Sequence, residues 1–194
     1  MTKHENIHVI AIIPAKTDST RLPKKNLQSI CGKTLIQHSI EHAQQSEYVQ
    51  SIVVSTESED VKKICEQYDG ILISERPGHL LKDAEVADVY VDVFQNYLNK
   101  DLPTTHMVAL QPDHPDRKNK LDDLIDYFIE NKYDDLVTVD SSGTRNGSVR
   151  ITKSEYVRNG TMSRRVGSFL DDCTNIHDTD DLKQAEDNIN ERVH

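Results

Sequence analysis

"IIPAKTDSTRLPKKN", residues 12–26, is the stretch on which the reading of this chain turns. An apolar run ends at Pro14, and the loop that follows gathers Lys16, Arg21, Lys24 and Lys25 with the hydroxyls of Ser19 and Thr20. The chain carries a formal net charge of −10, so this cation cluster runs against its overall balance. In α/β proteins ligands bind beyond the carboxyl ends of the strands, where loops lead into helices. Backbone N–H groups and cations in one such loop favour dispersed negative charge, which makes polyphosphate the economical ligand. The stretch has neither the glycine and lysine spacing of a P-loop nor a dinucleotide glycine fingerprint. Composition alone reads equally well as a solvated basic loop offsetting acidic neighbours.

Outward from this loop, short β-rich runs recur at 9–13, 51–55, 71–73, 107–110, 136–139 and 149–151. Several are continuously apolar, as strands covered on both faces are. Helical periods lie between them: Leu35, Ile36, Ile40 and Ala43; Val61, Ile64, Cys65 and Tyr68; Val86, Val89, Tyr90, Val93 and Tyr97; and the strongest stripe, Leu121, Leu124, Ile125, Phe128 and Ile129. Residues 178–193 read as a final helix with Asp178 or Thr179 near its cap and an acidic, solvated face. Alternating strands and helices predict an α/β fold with a mostly parallel central sheet.

With 194 residues, 36% of them hydrophobic, one core and one domain over 1–194 are expected. The acidic balance argues against nucleic acid and anionic membrane as partners, and no run is long and apolar enough for a membrane span. Cys31, Cys65 and Cys173 are odd in number and widely spaced, which predicts reduced thiols and a cytoplasmic setting rather than a disulfide framework.

The order of segments carries more than any one of them. "IIPAKTDSTRLPKKN", "GKTLIQHSIEHA", "SIVVSTESEDV", "ERPGHLLKD", "LQPDHP", "RNG" and "NIHDTDDLKQAED" follow one another along the chain. In that order they resemble the acylneuraminate and 3-deoxy-manno-octulosonate cytidylyltransferases, which activate acidic sugars. The resemblance is strongest over 9–83. It implies a Rossmann-like nucleotidyltransferase fold, CTP and a small acidic sugar as substrates, and magnesium as cofactor. It also assigns roles. Ala15, Lys16, Ser19, Thr20, Arg21, Lys25 and Asn26 would surround ribose and triphosphate, with Lys16, Arg21 and Lys25 as the catalytic cations. Arg76 would face the cytosine, Gln111 would lie between nucleotide and sugar, and Arg145, Asn146 and Gly147 would lie on the sugar side. Lys16 replaces the family's arginine and keeps the charge without the bidentate fork.

The metal motif is where the sequence departs. The neuraminate branch ends on paired aspartates, whose places here fall to Asn175 and His177. The octulosonate branch carries one metal aspartate in a segment that "QPDHP" matches, which makes Asp113 the first candidate ligand, Asp178 the second and His177 the third. Asp113 also reads as a turn residue between prolines, and Asp178 as a helix cap. Only "SSGT" stands where relatives carry a long dimerising excursion, so a monomer, or a dimer that does not use that excursion, is expected. Transfer of CMP from CTP to an acidic sugar is the leading reading. A nucleotidyltransferase for a smaller acceptor such as a polyol phosphate or phosphonate, and a non-catalytic nucleotide-binding homologue, stay open beside it.

Overall fold

The structure, a computed structural model, describes residues 7–17, 19, 21–81, 84–97 and 104–192. Along the chain lie β1 (Val9–Pro14), β2 (Ser29–Ile30), β3 (Lys33–Thr34), α1 (Leu35–Gln44), β4 (Val49–Thr56), α2 (Glu59–Cys65), β5 (Ile71–Glu75) and α3 (Val86–Tyr97). They are followed by β6 (His106–Leu110), α4 (Leu121–Glu130), β7 (Asp135–Val139), β8 (Arg145–Lys153), α5 (Ser154–Arg158), β9 (Val166–Leu170) and α6 (Thr179–Asn190). Seven strands form one sheet in the order β5-β4-β1-β6-β8-β7-β9, and β2 and β3 form a small hairpin. Strand β8 runs antiparallel to both its neighbours; the other pairings in the sheet are parallel.

Every residue of β1 is buried, which is why its sequence is apolar without alternation. Val9, Ala11 and Ile13 pack on one face with Ile36, Ile40, Leu124 and Phe128. Ile10 and Ile12 pack on the other with Tyr90, Val93, Phe94 and Met107. Each such fully buried aliphatic side chain contributes about 1.5–3 kcal/mol. That burial fixes the carboxyl end of β1, and with it the start of the cationic loop.

Side chains cap the helices that follow. Thr34 and Gln37 form a reciprocal capping box at α1, Ser58 caps α2, and Asp178 caps α6 by accepting from Asp180 N and Asp181 N. Helix α6 is more than a solvated acidic face. Its inner stripe of Leu182, Ala185 and Ile189 packs on Leu22, Ile30, Leu35 and Ile176, which pins the tail to the cationic loop.

Three elements were not legible in the sequence: the β2–β3 hairpin, the single-turn α5 and strand β9. Each is short, and "VGSFL" in β9 is broken by glycine and serine. The "SSGT" segment is a tight hairpin turn between β7 and β8, closed by Gly143 N to Asp140 O and Asp140 N to Thr144 O, both 2.9 Å. Cys31, Cys65 and Cys173 are free thiols. Among the described residues no helix is long and apolar enough to cross a membrane.

Candidate active site

A cavity of about 130 Å³ opens at the carboxyl edge of the sheet, lined by Lys16, Lys25, Asn26, Arg76, Gln111 and Asp113 among others. The residues come from four places: the loop after β1, the segment after β5, the end of β6 and the turn beyond it. Parallel strands that end together bring these separate loops to one mouth.

The loop is held by its own backbone. Ala15 is fully buried and donates its N–H to Ser55 O at 2.9 Å. Asn26, also buried, donates from Nδ2 to Lys16 O at 2.8 Å, so it acts as a clasp across the loop and leaves the Lys16 side chain in solvent. Ser19 is half-buried and Arg21 exposed; Thr20 lies outside the described residues. The neighbouring lysines part ways. Lys24 adopts left-handed backbone (φ 51°) and reaches outward to Asp60. Lys25 turns inward, donating to Asp113 Oδ2 at 2.6 Å and to Ile176 O at 3.1 Å.

Asp113 is gripped from both sides, because the buried His114 ring lies with Nδ1 3.0 Å from its Oδ1. Burial pushes its carboxyl up, but the hydrogen bond and charge of His114, and then Lys25, outweigh burial and hold it well below the usual carboxylate range. His114 Nε2 is buried without a partner among the described residues. Arg76 is 5% exposed, which lowers its guanidinium pKa through desolvation. It donates from Nη2 to Ser55 O at 3.2 Å, while its Nε has no partner among the described residues. A buried guanidinium nitrogen without an acceptor, in a residue lining a cavity, marks a place for an anion or carbonyl ligand.

The sugar-side candidates are placed differently. Asn146 donates from Nδ2 to Asp171 O at 2.6 Å and accepts at Oδ1 from Thr138 Oγ1 at 2.6 Å and Ser148 N at 3.1 Å. Its amide is thus spent on scaffold. Gly147 has φ +78°, and a Cβ there would stand 3.2 Å from Gln111 Nε2, so glycine at this position seats the Gln111 amide. Arg145 is exposed at the start of β8.

The three metal candidates are not gathered. Among the described residues no group of three or more His, Cys, Asp or Glu side chains converges as a metal site. Asp178 spends Oδ1 on the α6 cap at 2.9 and 3.1 Å, and His177 is exposed with its backbone N–H on Asp181 Oδ2 at 2.7 Å. At the neuraminate-type position, Asn175 Oδ1 is buried and, among the described residues, unpartnered.

Sequence reasoning missed the buried network that braces the site. Arg117, 8% exposed, donates to Ser148 Oγ (3.0 Å), Ser39 Oγ (3.3 Å), Ser148 O (3.0 Å) and Gln111 O. Asp171, 1% exposed, accepts from Ser148 Oγ at 3.0 Å, Asn119 Nδ2 at 3.0 Å and Lys118 N at 3.3 Å. Outside that net, sequence reasoning also passed over His114, which the "QPDHP" segment displays between Pro112 and Pro115 and which bonds Asp113.

The comparisons with known proteins show the family and the fold. A family model described as cytidylyltransferase matches residues 10–191, and the chain belongs to that family. It is 34% identical over 113 residues to the CMP-N,N'-diacetyllegionaminic acid synthase of Legionella pneumophila, an alignment covering 58% of this chain and 49% of that protein. Against the 3-deoxy-manno-octulosonate cytidylyltransferase of Francisella philomiragia it is 33% identical over 110 residues, covering 57% and 40%. The alignments thus span half or less of these curated relatives. Among solved structures, CMP:2-keto-3-deoxy-manno-octonic acid synthetase complexed with CTP superposes with a TM-score of 0.73 at 15% identity, over 95% of this chain and 99% of that one. At that identity the match establishes the fold.

Proposed function

We propose that this chain transfers a cytidylyl group from CTP to a hydroxyl of an acidic sugar. The observation that carries the reading is the cavity at the sheet's carboxyl edge, where Lys16, Lys25 and the buried Arg76 meet one carboxylate, Asp113. A bond forms between the acceptor oxygen and the α-phosphorus, the bond to the bridging oxygen of the β-phosphate breaks, and pyrophosphate leaves. The hydroxyl proton passes to solvent. Lys16, Arg21 and Lys25 would neutralise the triphosphate and the charge that develops on the leaving group. Arg76 would present its free Nε to the cytosine carbonyl, and Gln111, seated by Gly147, would orient the acceptor.

The residues also fit a hard cation. Asp113 Oδ2 and Ile176 O both accept from the Lys25 ammonium, and they are oxygen donors of the kind magnesium takes. Magnesium, when bound, supplies charge neutralisation on phosphate oxygens and needs few protein ligands, since it keeps several waters. Asp113 would hold it once triphosphate draws Lys25 away; Asp178 and His177 have the weaker claim.

The tight 140–144 turn favours a second reading, transfer to a smaller acceptor such as a polyol phosphate or phosphonate, because it leaves no excursion to cover a bulky sugar. One experiment separates the readings: pyrophosphate release from each of the four nucleoside triphosphates, with magnesium, against sugar acids and smaller phosphorylated acceptors. CTP and a sugar acid are expected to be the productive pair. Equal turnover with ATP or GTP would discard the role of Arg76, turnover only with the small acceptors selects the second reading, and no turnover at all with CTP still bound selects the non-catalytic one.

A further inference from the structure

The end of β4 holds two parts of the candidate site at once. Ser55 O accepts from Ala15 N at 2.9 Å, where the cationic loop begins, and from Arg76 Nη2 at 3.2 Å. Thr56 O accepts from Arg76 N at 3.2 Å, and Thr56 Oγ1 donates to Ala15 O at 2.6 Å. Glu57, the next residue, brings a charge to the same junction. Its Oε1 accepts from Thr17 N at 2.6 Å, directly after Lys16 in the loop.

The other carboxylate oxygen is the informative one. Glu57 Oε2 is buried and has no hydrogen-bond partner among the described residues. Taking a carboxylate oxygen out of water without a partner costs free energy unless an opposite charge stands near. Arg76 is that charge. Its side chain is buried, its Nε is unpartnered among the described residues, and burial lowers its pKa. The Glu57 charge comes first among those that oppose this lowering, ahead of Tyr90 and Asp92. No hydrogen bond joins the two side chains among the described residues, so they act on each other through charge in a shielded space. An anion beside a loop suited to triphosphate repels that ligand. A glutamine would accept the Thr17 N–H without the repulsion, so the loop alone does not account for a carboxylate here. Arg76 does.

We propose that Glu57 is a positioning residue that couples the two halves of the nucleotide site: through Oε1 it fixes the backbone of the cationic loop, and through the charge of its carboxylate it holds the Arg76 guanidinium ready for the base. The inference rests on the reading of the loop as the triphosphate contact and of Arg76 as the cytosine contact. A guanidinium already held by Ser55 O and by a fixed counter-charge loses little freedom when a base carbonyl arrives at Nε. The same carboxylate sets the loop and Arg76 relative to each other, because both are tied to consecutive residues at the end of one strand.

Chemical-shift titration of the purified chain with two half-ligands, inorganic tripolyphosphate and cytidine, tests this. The natural chain should take both. Glu57→Gln keeps an acceptor for Thr17 N and loses the charge, so it should bind tripolyphosphate at least as tightly and cytidine about 10-fold more weakly. Glu57→Asp keeps the charge and should recover most of the cytidine affinity. Glu57→Ala lacks both charge and acceptor, and should bind tripolyphosphate about 3-fold or more weakly than Glu57→Gln does. A side chain that merely supports the fold would move both half-ligands together. Circular dichroism checks the fold, and if Glu57→Ala does not fold the Gln and Asp variants decide alone. Cytidine affinity unchanged in Glu57→Gln overturns the proposal, as does Glu57→Asp binding cytidine no better than Glu57→Gln, or Glu57→Ala matching Glu57→Gln for tripolyphosphate. In these cases the natural chain still binds both half-ligands and the inference alone fails. A natural chain that takes tripolyphosphate and not cytidine removes the reading of Arg76, and the inference with it.

Discussion

The two halves of the sheet treat their polar side chains in opposite ways. On the β5-β4-β1 side, Lys16, Arg21 and Arg76 keep groups uncommitted among the described residues, where Lys25 is held by a carboxylate and a carbonyl that a ligand can replace. On the β8-β7-β9 side, Arg117, Asn146, Ser148 and Asp171 bond to one another and to backbone in a closed net. The first half leaves donors open at the cavity, and the second holds Gln111 and the turn after β6 in place. The difference teaches that charge and burial do not by themselves mark a binding residue. What marks one is donor capacity left over after the scaffold has been satisfied.

The contrast breaks most severely at Arg117. Arg117→Met should lower stability by about 3–5 kcal/mol, because a buried charge network loses its centre and leaves carbonyls and Asp171 uncompensated. Urea denaturation measures it; a cost under ~1 kcal/mol would show that the net is not a scaffold. In the open half, Lys25→Ala should leave the fold intact and weaken CTP binding by about 1.5–3 kcal/mol, roughly 10- to 100-fold. Isothermal calorimetry reads it, and unchanged affinity with an intact fold removes Lys25 from the triphosphate site.

Two partly buried histidines, His42 on α1 and His106 on β6, also give the fold a pH dependence. Burial and then the Arg117 charge push His42 down to about 3, and burial and then Lys153 push His106 down to about 4, from an ordinary 6.5. Both rings are held neutral in the folded chain, so the unfolded chain binds more protons as pH falls below about 6.5. Their contribution is complete above that pH and drains away below it, down to about 4 for His106 and about 3 for His42, at about 1.4 kcal/mol per pH unit for each histidine. Chemical denaturation at pH 7, 6, 5 and 4.5 should show this slope, and His42→Gln should flatten it; a slope that His42→Gln leaves untouched assigns the acid sensitivity elsewhere. The smallest effect sharpens the comparison between adjacent lysines. Lys24 pairs with Asp60 at 3.1 Å with both side chains more than half exposed, so Lys24→Ala should change stability by less than about 1 kcal/mol and CTP affinity not measurably, in the same calorimetric titration that registers Lys25→Ala.

Much of the fold could be read from residue order because its signals are local. Continuous apolar runs gave the six strands of the central part of the sheet, and 3.6-residue stripes gave α1, α2, α3, α4 and α6, with Asp178 at the final cap as expected. Strand β9 escaped because its pairing with β7 is non-local and its own residues are mixed. The site was legible where chemistry is concentrated in one segment, as in the cationic loop and its order relative to Arg76, Gln111 and Asp113. That these segments line one cavity follows from parallel strands ending at a common edge.

Sequence by itself thus determined the layered α/β class, the family resemblance and the residues that could meet a triphosphate. Those properties depend on periodicity and on which side chains are present. Only tertiary structure decided which of two adjacent lysines turns inward, that Asn146 is a brace and Asp178 a cap, and that Arg117 and Asp171 sit at the centre of a buried net. Each of these outcomes depends on which donors and acceptors, distant in the chain, are brought within about 3 Å and shielded from water. Residue order does not encode that competition until the sheet has closed around it.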